Sequence, residues 1–243
     1  MPLTYTARLG PVERSKNDLA LRIRRGVFEV FMRECAPGPQ SPVADFGVTG
    51  HSDHPAHYFF ELLYPYTERL TAIGQAAEDA HWYPEHFPGV TFLEADLREI
   101  PLPDDYFDAG ICNAVVEHAG TREQQAALVR EVCRVCRAVL FTTPNKSFPM
   151  ELHTFLPFVH WLPDATFRAI LDRLGFKSLA RVENLNPLDR QSFLALFRPE
   201  RENRVFTMGL GPLRTNLICI SRSVPGSSEN SRDMGIRTAG KAG

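Results

Sequence analysis

Acidic residues and glycines occur where short apolar runs of this sequence end, in positions that suit ligand binding. Asp45 lies at the end of the run at residues 43–46, and Gly47 and Gly50 follow it closely. A carboxylate accepts hydrogen bonds from a cationic or hydroxyl-bearing ligand, and glycine lets the backbone approach a ligand where a Cβ atom would clash. An ordinary tight turn is the alternative interpretation of this segment.

A second acid, Asp96, comes shortly after the apolar run at residues 90–93. A carboxylate in this position can accept from an exocyclic amine while the neighbouring backbone amide donates to a ring nitrogen, and this pair recognises adenine. The alternative is that Asp96 serves as a turn acid or as a helix N-cap.

The elements that must position these residues alternate between short apolar runs and segments with helical periodicity. The runs predict strands at 43–46, 70–73, 90–93, 107–112 and 138–142, with two more at 177–182 and 217–221. Helices are predicted at 17–35, 55–63, 76–86, 122–132 and 164–174, the last with Asp164 as its N-cap and Gly175 as its stop. This alternation predicts an α/β fold: a Rossmann-like doubly wound, mainly parallel seven-stranded sheet with helices on both faces. Ligands of such sheets bind at the carboxyl ends of the strands.

Changes in composition along the chain predict its organisation. Residues 1–40 are predicted to form an N-terminal helical cap that ends at Pro37-Gly38-Pro39. Residues 41–222 form the main domain, in which the segment 144–163, rich in proline, aromatic residues and histidine, is a loop that covers the ligand. Residues 223–243 are rich in serine, glycine and arginine without an apolar period, which predicts a disordered tail.

Composition also limits the partners. A formal net charge of -2 and a pI of 6.5 leave no excess of basic residues for phosphates, which disfavours a nucleic-acid partner. No apolar run reaches the ~18 residues that a membrane span needs. The N-terminus has no signal-peptide pattern, which predicts a cytoplasmic protein. Cys133 and Cys136 are interpreted as buried thiols rather than as half of a zinc site, so no metal is predicted.

Taken together, the stretch from Asp45 to Asn145 resembles a class I S-adenosylmethionine-dependent methyltransferase, of the methyltransferase-domain group that includes many small-molecule methylators. The matching pieces are Asp45-x-Gly47, 92–96, 103–108, 113–118 and 142–145. The resemblance implies S-adenosylmethionine as the cofactor and methyl transfer to an oxygen, nitrogen or carbon atom of a small molecule as the reaction.

The resemblance also implies a cofactor-binding role for each matching residue. The methionine portion would be held by Asp45, Gly47, Val48, Thr49 and Gly50, the adenine by Asp96 and Leu97, and the sulfonium region by Asn113 and Ala114. Two positions depart from the family pattern. Thr49 and His51 replace the second and third glycines of the first motif, and Gln75 stands near the usual place of the acid that holds the ribose, with Glu78 as an alternative.

The acceptor is expected under the loop 144–163. His153 is the candidate general base for a hydroxyl acceptor, whereas an amine or carbon acceptor needs none. Further candidate contacts with a partly apolar acceptor are His118, Phe155, His160 and Trp161. Alternatively, the histidines have a structural role, in packing or in hydrogen bonds to loop carbonyls. In the same alternative, the aromatic residues simply pack over the sheet instead of lining a pocket. The first helix carries three arginines, Arg22, Arg24 and Arg25, which either cover this cavity or form a solvent-exposed face of the helix. The sequence is also compatible with a homodimer.

Two rival functions remain. A nicotinamide-dependent oxidoreductase would require G-x-G-x-x-G after the first strand, and Thr49 breaks that spacing. A non-catalytic methyltransferase-like binding or scaffold subunit would suit the weakened glycine turn. The presence of Asp45, Asp96 and Asn113 argues against the scaffold interpretation.

Overall fold

The computed structural model describes residues 11–49, 56–75, 79–210 and 212–224. The predicted tail lies outside the described residues beyond Val224. Within the described residues, no helix is both long enough and apolar enough to cross a membrane.

Seven strands form one sheet in the order β3-β2-β1-β4-β5-β7-β6. Their bounds are β1 Val43–Phe46, β2 Leu70–Gly74, β3 Thr91–Glu94, β4 Phe107–Asn113, β5 Cys136–Pro144, β6 Arg201–Leu210 and β7 Leu213–Ser223. Strands β1 to β5 are parallel, whereas β7 runs antiparallel to both β5 and β6. The predicted seven-stranded, mainly parallel sheet is confirmed.

Helices cover both faces because successive residues of the central strands point to opposite sides. In β5, Val139 and Phe141 pack in one core with α4 and α6, while Leu140 packs in the other with α1, α2 and α3. The helices are α1 Pro11–Glu34, α2 Phe59–Leu63, α3 Asp79–His86, α4 Arg122–Val135, α5 Asp164–Arg173 and α6 Arg190–Leu194. Strands buried on both faces are therefore continuous apolar runs in the sequence.

One predicted strand is wrong. Residues 177–182 form turns, and Leu179 and Ala180 pack against a small cluster that contains Phe167 of α5. The sixth strand is instead β6, which pairs with β7 and lies at the edge of the sheet. Its charged residues hid it from a search for apolar runs, and edge strands commonly carry such charges. Asp164 is also the first helical residue rather than the N-cap, which is Pro163.

Local hydrogen bonds fix the elements next to the sheet's carboxyl edge. Thr121 caps α4, since its side chain accepts from the Gln124 amide while the Gln124 side chain accepts from the Thr121 amide. The segment 144–163 is held by two contacts to loop carbonyls. Trp161 Nε1 donates to Lys146 O at 2.7 Å, and His160 Nε2 lies 2.8 Å from Phe148 O. The loop therefore has a defined path beyond β5.

Candidate functional site

The turn after β1 lies where the strand order reverses, between β1 and β4, which is the usual ligand position in such sheets. Gly47 has φ +84°, a backbone conformation that favours glycine. A Cβ atom at Gly47 would lie 2.4 Å from Cγ2 of Val115 in the loop after β4. This glycine therefore lets the two loops of the crevice touch. Gly50 lies outside the described residues, as does His51.

The same turn is tied to the end of β2. The amides of Gly47 and Val48 both donate to Ile73 O, at 2.8 and 3.1 Å. A Cβ atom at Gly74 would lie 2.5 Å from the Val48 carbonyl oxygen. Thr49 is exposed, and so is Gln75, the predicted ribose contact, which follows β2 directly.

Asp45 belongs to a buried charged group that sequence reasoning recognised only in part. Asp45 is 7% exposed, and burial raises its pKa well above the ordinary range, with Glu61 adding to the rise and Arg24 opposing it. Arg24 reaches in from α1, donates to Ala56 O and lies 5.8 Å from the centroid of the Phe59 ring. Burial lowers the pKa of Arg24 to about 10, an effect that Asp45 counteracts. Arg22 and Arg25, the other two arginines of α1 with a predicted role over the cavity, are exposed.

Glu61 of α2 is the second carboxyl group of this cluster. It is 3% exposed, and burial raises its pKa to about 7. Tyr83 Oη of α3 donates to Glu61 Oε1 at 3.2 Å, whereas Oε2 has no hydrogen-bond partner among the described residues. No local sequence signal marks Glu61 or Tyr83, because they meet only when α2 and α3 pack on the same face of the sheet.

Asp96, the predicted adenine contact, also organises its own turn. Its carboxylate binds Arg98 through side-chain contacts of 2.5 to 3.2 Å and accepts from the Arg98 amide at 2.9 Å. The hydrogen bonds from Arg98 lower the pKa of Asp96. Because its side chain is 39% exposed and a carboxylate has about four lone-pair sites, Asp96 can still accept from a ligand. The neighbouring Leu97 is buried.

The loop after β4 is fastened to β5. Thr142 Oγ1 donates to Asn113 Oδ1 at 2.8 Å, and the Ala114 amide donates to Thr142 O at 3.1 Å. Ala114 has φ +56°, in the left-handed region that non-glycine residues rarely adopt. These contacts hold Asn113 and Ala114 beside Gly47, through Val115.

A histidine pair lies further along the same edge, beyond the ends of β4 and β5. Nε2 of His118 is 3.2 Å from Nε2 of His153, and the two rings are nearly perpendicular, at 89°. His118 Nδ1 contacts Asn184 O at 2.6 Å, and His153 Nδ1 contacts Glu151 Oε1 at 2.7 Å. The fold thus joins two of the predicted acceptor-site residues.

Two buried carboxylates flank this pair. Burial raises the pKa of Glu151, but hydrogen bonds from His153 and Thr154 outweigh it and hold the pKa at about 2. Burial lowers the pKa of His153, yet the neighbouring Glu151 and Glu117 raise it overall. Glu117 is 1% exposed and accepts from Thr143 Oγ1 at 3.0 Å through Oε2, while its Oε1 has no hydrogen-bond partner among the described residues. Sequence reasoning missed both acids.

A pocket opens between the loop after β4 and the segment 144–163. Its lining includes Glu117, Lys146, Glu151, His153 and His160. Three further predicted acceptor contacts are not in the lining. His118 lies beside it, in contact with His153, whereas Phe155 is 47% exposed and Trp161 is 50% exposed at the surface of the loop. Of the five residues predicted to contact the acceptor, only His153 and His160 line this pocket.

Comparison with known proteins agrees with this architecture. Residues 58–139 match the family model described as a methyltransferase domain. A solved structure from Pyrococcus horikoshii OT3 has 14% identity and a TM-score of 0.54, over 91% of this chain and 95% of that one. A putative methyltransferase from Bacillus halodurans C-125 has 12% identity and a TM-score of 0.52, over 82% and 98%. A SAM-dependent methyltransferase from Methanosarcina mazei has 12% identity and a TM-score of 0.52, over 89% and 98%. No curated protein matches significantly.

The family match and the strand order together confirm the class that the sequence indicated. Residues 58–139 match a methyltransferase domain, and the sheet has the class I fold, whose cofactor is S-adenosylmethionine.

Proposed function

We propose that this methyltransferase methylates an oxygen, nitrogen or carbon atom of a small, partly apolar molecule bound in the pocket beside His118 and His153. The observation that carries the proposal is the position of that pocket. It lies past the ends of β4 and β5, next along the edge from the crevice formed by the loops after β1 and β4. The exposed apolar side chains of Phe155, Phe158 and Trp161 on the neighbouring loop support a partly apolar acceptor.

The residues of the crevice fit S-adenosylmethionine. The register pairs Phe46 with both Ile73 and Cys112, and Gly74 with Glu94, so the ends of β1 to β4 lie side by side. The cofactor residues expected from the resemblance lie at these ends or just after them: Asp45 and Gly47 to Thr49, then Gln75, Asp96 with Leu97, and Asn113 with Ala114. Gly47 and Gly74 let the turn after β1 pack closely against Val115 and against the end of β2.

Bound there, S-adenosylmethionine supplies a methyl group on a sulfonium that an acceptor can displace in line. The protein's contribution is positioning, since holding two reactants in a near-attack geometry removes much of the entropic barrier. For a hydroxyl acceptor, the proposed base is His153, which would take the proton at Nε2 because Glu151 binds its Nδ1. The Glu151 carboxylate orients the ring and stabilises its protonated form.

Cofactor affinity tests the crevice, through calorimetric titration with S-adenosylhomocysteine. Asp45→Asn and Asp96→Asn are each expected to weaken binding by ~1–3 kcal/mol, the usual effect of losing one buried or charged hydrogen bond. Asp108→Asn is the matched control, because Asp108 lies at the opposite end of β4 and pairs with Arg137 at the surface. Unchanged affinity in both crevice variants would contradict the assignment. A wild-type chain that binds no S-adenosylhomocysteine would favour the scaffold alternative.

Label transfer tests the acceptor pocket. The protein is incubated with methyl-labelled S-adenosylmethionine and fractions of a small-molecule extract, and labelled products are identified by mass spectrometry. His153→Ala is expected to slow transfer to a hydroxyl acceptor by ~10²–10⁴-fold, the usual contribution of a general base. Its affinity for S-adenosylhomocysteine should stay unchanged, since His153 lies outside the cofactor crevice. Transfer at the wild-type rate would remove His153 from the mechanism.

A further inference from the structure

The two facing histidines carry an electrostatic problem that points to a bound cation. A backbone carbonyl only accepts, so His118 Nδ1 must donate its proton to Asn184 O, 2.6 Å away. The ionised Glu151 likewise requires a proton on His153 Nδ1, 2.7 Å away. In the neutral rings, both Nε2 atoms therefore carry lone pairs, and these atoms are 3.2 Å apart. Two lone pairs at that distance repel each other unless a proton or a metal ion lies between them.

A third donor is directed at the same place. Oε1 of Glu117 lies 4.0 Å from His118 Nε2 and has no hydrogen-bond partner among the described residues, although the side chain is 1% exposed. Leaving a buried carboxylate oxygen unpaired is costly. The three donor atoms all lie within 4.8 Å of one another. Within the described part of the chain, neither Glu117 nor Glu151 forms an ion pair with lysine or arginine.

We propose that Glu117, His118 and His153 bind one divalent transition-metal ion at the acceptor pocket. Two imidazoles and one carboxylate form a donor set typical of zinc and other first-row metals. Two nitrogens bound tetrahedrally at ~2.0–2.1 Å from a metal are about 3.3 Å apart, close to the spacing of the two Nε2 atoms. The Glu117 oxygen, 4.0 Å from His118 Nε2, must move toward the two nitrogens to join them.

The surroundings of the three donors match those of metal sites. Metal-bound histidines usually donate their other ring nitrogen to a carboxylate or a carbonyl, and here Glu151 and Asn184 O accept these bonds. The side chain of His118 is 38% exposed, whereas that of Glu117 is buried. The ion would therefore be anchored from the protein side and retain open positions for a ligand.

This inference rests on the proposed function and extends it. A hydroxyl oxygen of the acceptor would bind the ion, which lowers the pKa of that hydroxyl, and its proton would pass to solvent. The oxygen would then form its bond to the methyl carbon as the bond from that carbon to the sulfonium sulfur breaks. His153 acts as a ligand in the metal-bound form and as the base only in the metal-free form. The acceptor chemistry favoured is thus an oxygen nucleophile that can bind a metal.

Metal titration of the chelator-treated full-length protein tests the site. With Zn²⁺ followed by dye competition, and Co²⁺ followed by visible absorption, we expect one ion per chain. Loss of an outer-shell partner typically weakens metal binding by ~10–100-fold, so His118→Gln and Glu117→Gln should weaken it at least that much. His86→Gln is the control, since His86 lies on α3 and stacks on Trp82. Absence of a bound ion, or unchanged affinity in both ligand variants, would overturn the proposal.

A second measurement covers the case in which a variant fails to fold. X-ray absorption of the wild-type zinc complex should show two imidazole ligands, and a spectrum without imidazole scattering would reject the site. Calorimetry with S-adenosylhomocysteine on the same preparation separates the two hypotheses. A protein that binds S-adenosylhomocysteine but no metal refutes the metal site alone, whereas a protein that binds metal but no S-adenosylhomocysteine refutes the proposed function.

Discussion

Gly47→Ala is expected to lower the free energy of unfolding by ~2–5 kcal/mol and to abolish binding of S-adenosylhomocysteine. A non-glycine residue in the left-handed region costs ~1–2 kcal/mol, and Gly47 has φ +84°. The added Cβ would also approach Val115 Cγ2 to 2.4 Å, and overpacking of this kind costs ~1–3 kcal/mol. Relief of the clash would separate the loops after β1 and β4, which form the crevice. Urea unfolding and calorimetry measure the two effects.

Gly175→Ala separates the backbone cost of the Gly47→Ala substitution from its packing cost. Gly175 has φ +89°, nearly that of Gly47, but a Cβ atom there has no neighbour within 4 Å. The Gly175→Ala variant should therefore lose only the stability that corresponds to backbone strain, and it should bind S-adenosylhomocysteine normally. Adding Val115→Ala to Gly47→Ala should restore the packing contribution, which a double-mutant cycle isolates. If Gly47→Ala and Gly175→Ala lost equal stability, the tight contact with Val115 would not exist.

The sheet could be predicted because its five parallel strands are short apolar runs between helical segments. Burial on both faces produces this pattern, and the strand order follows from the class of fold that it indicates. Strand β6 escaped the prediction because Arg201, Glu202 and Arg204 give it the composition of a loop. Residues 177–182 were mistaken for a strand because their apolar side chains pack against α5 without pairing to the sheet.

Cofactor residues could be proposed from sequence because each of them lies at or just beyond the carboxyl end of a strand. Asp45, Asp96 and Asn113 have positions fixed by local order, so that the fold alone brings them to one edge. Arg24 and Glu61 could not be placed in this way, because their electrostatic interactions with Asp45 depend on how α1 and α2 pack.

The contact between the two histidines could not be predicted from the sequence either, because it also depends on tertiary packing. His118 and His153 are 35 residues apart, and their contact depends on the path of the segment 144–163. A weak signal was nevertheless present, since an acid lies close to each histidine: Glu117 precedes His118 and Glu151 comes two residues before His153. Acid–histidine pairs after two adjacent strands indicate a shared site only when the strands are known to be neighbours.

Glu61→Gln is expected to make the protein more stable than the wild type at pH 8, with a difference that shrinks as the pH falls. Burial raises the pKa of Glu61 to about 7 in the folded state, against an ordinary value of 4.5. Between these values the unfolded chain has released this proton and the folded chain has kept it, so rising pH favours unfolding. Below about 4.5 both states are protonated and the effect vanishes, whereas above about 7 it is complete. At 1.36 kcal/mol per pKa unit, the full contribution is about 3 kcal/mol.

The surroundings of Glu61 determine how cleanly this effect appears. Glutamine keeps the size of the side chain and can still accept from Tyr83 Oη, so the substitution removes the charge with little change in packing. Asp45 titrates in the same cluster, and Arg24 opposes the rise of its pKa, so the variant should retain part of the wild-type pH dependence. Urea unfolding at pH 5.5, 6.5, 7.5 and 8 measures the difference, with Glu202→Gln as the control because its side chain is 68% exposed. Parallel stability curves for Glu61→Gln and the wild type would show that Glu61 ionises normally in the folded protein, and that the cluster around Asp45 is open to water.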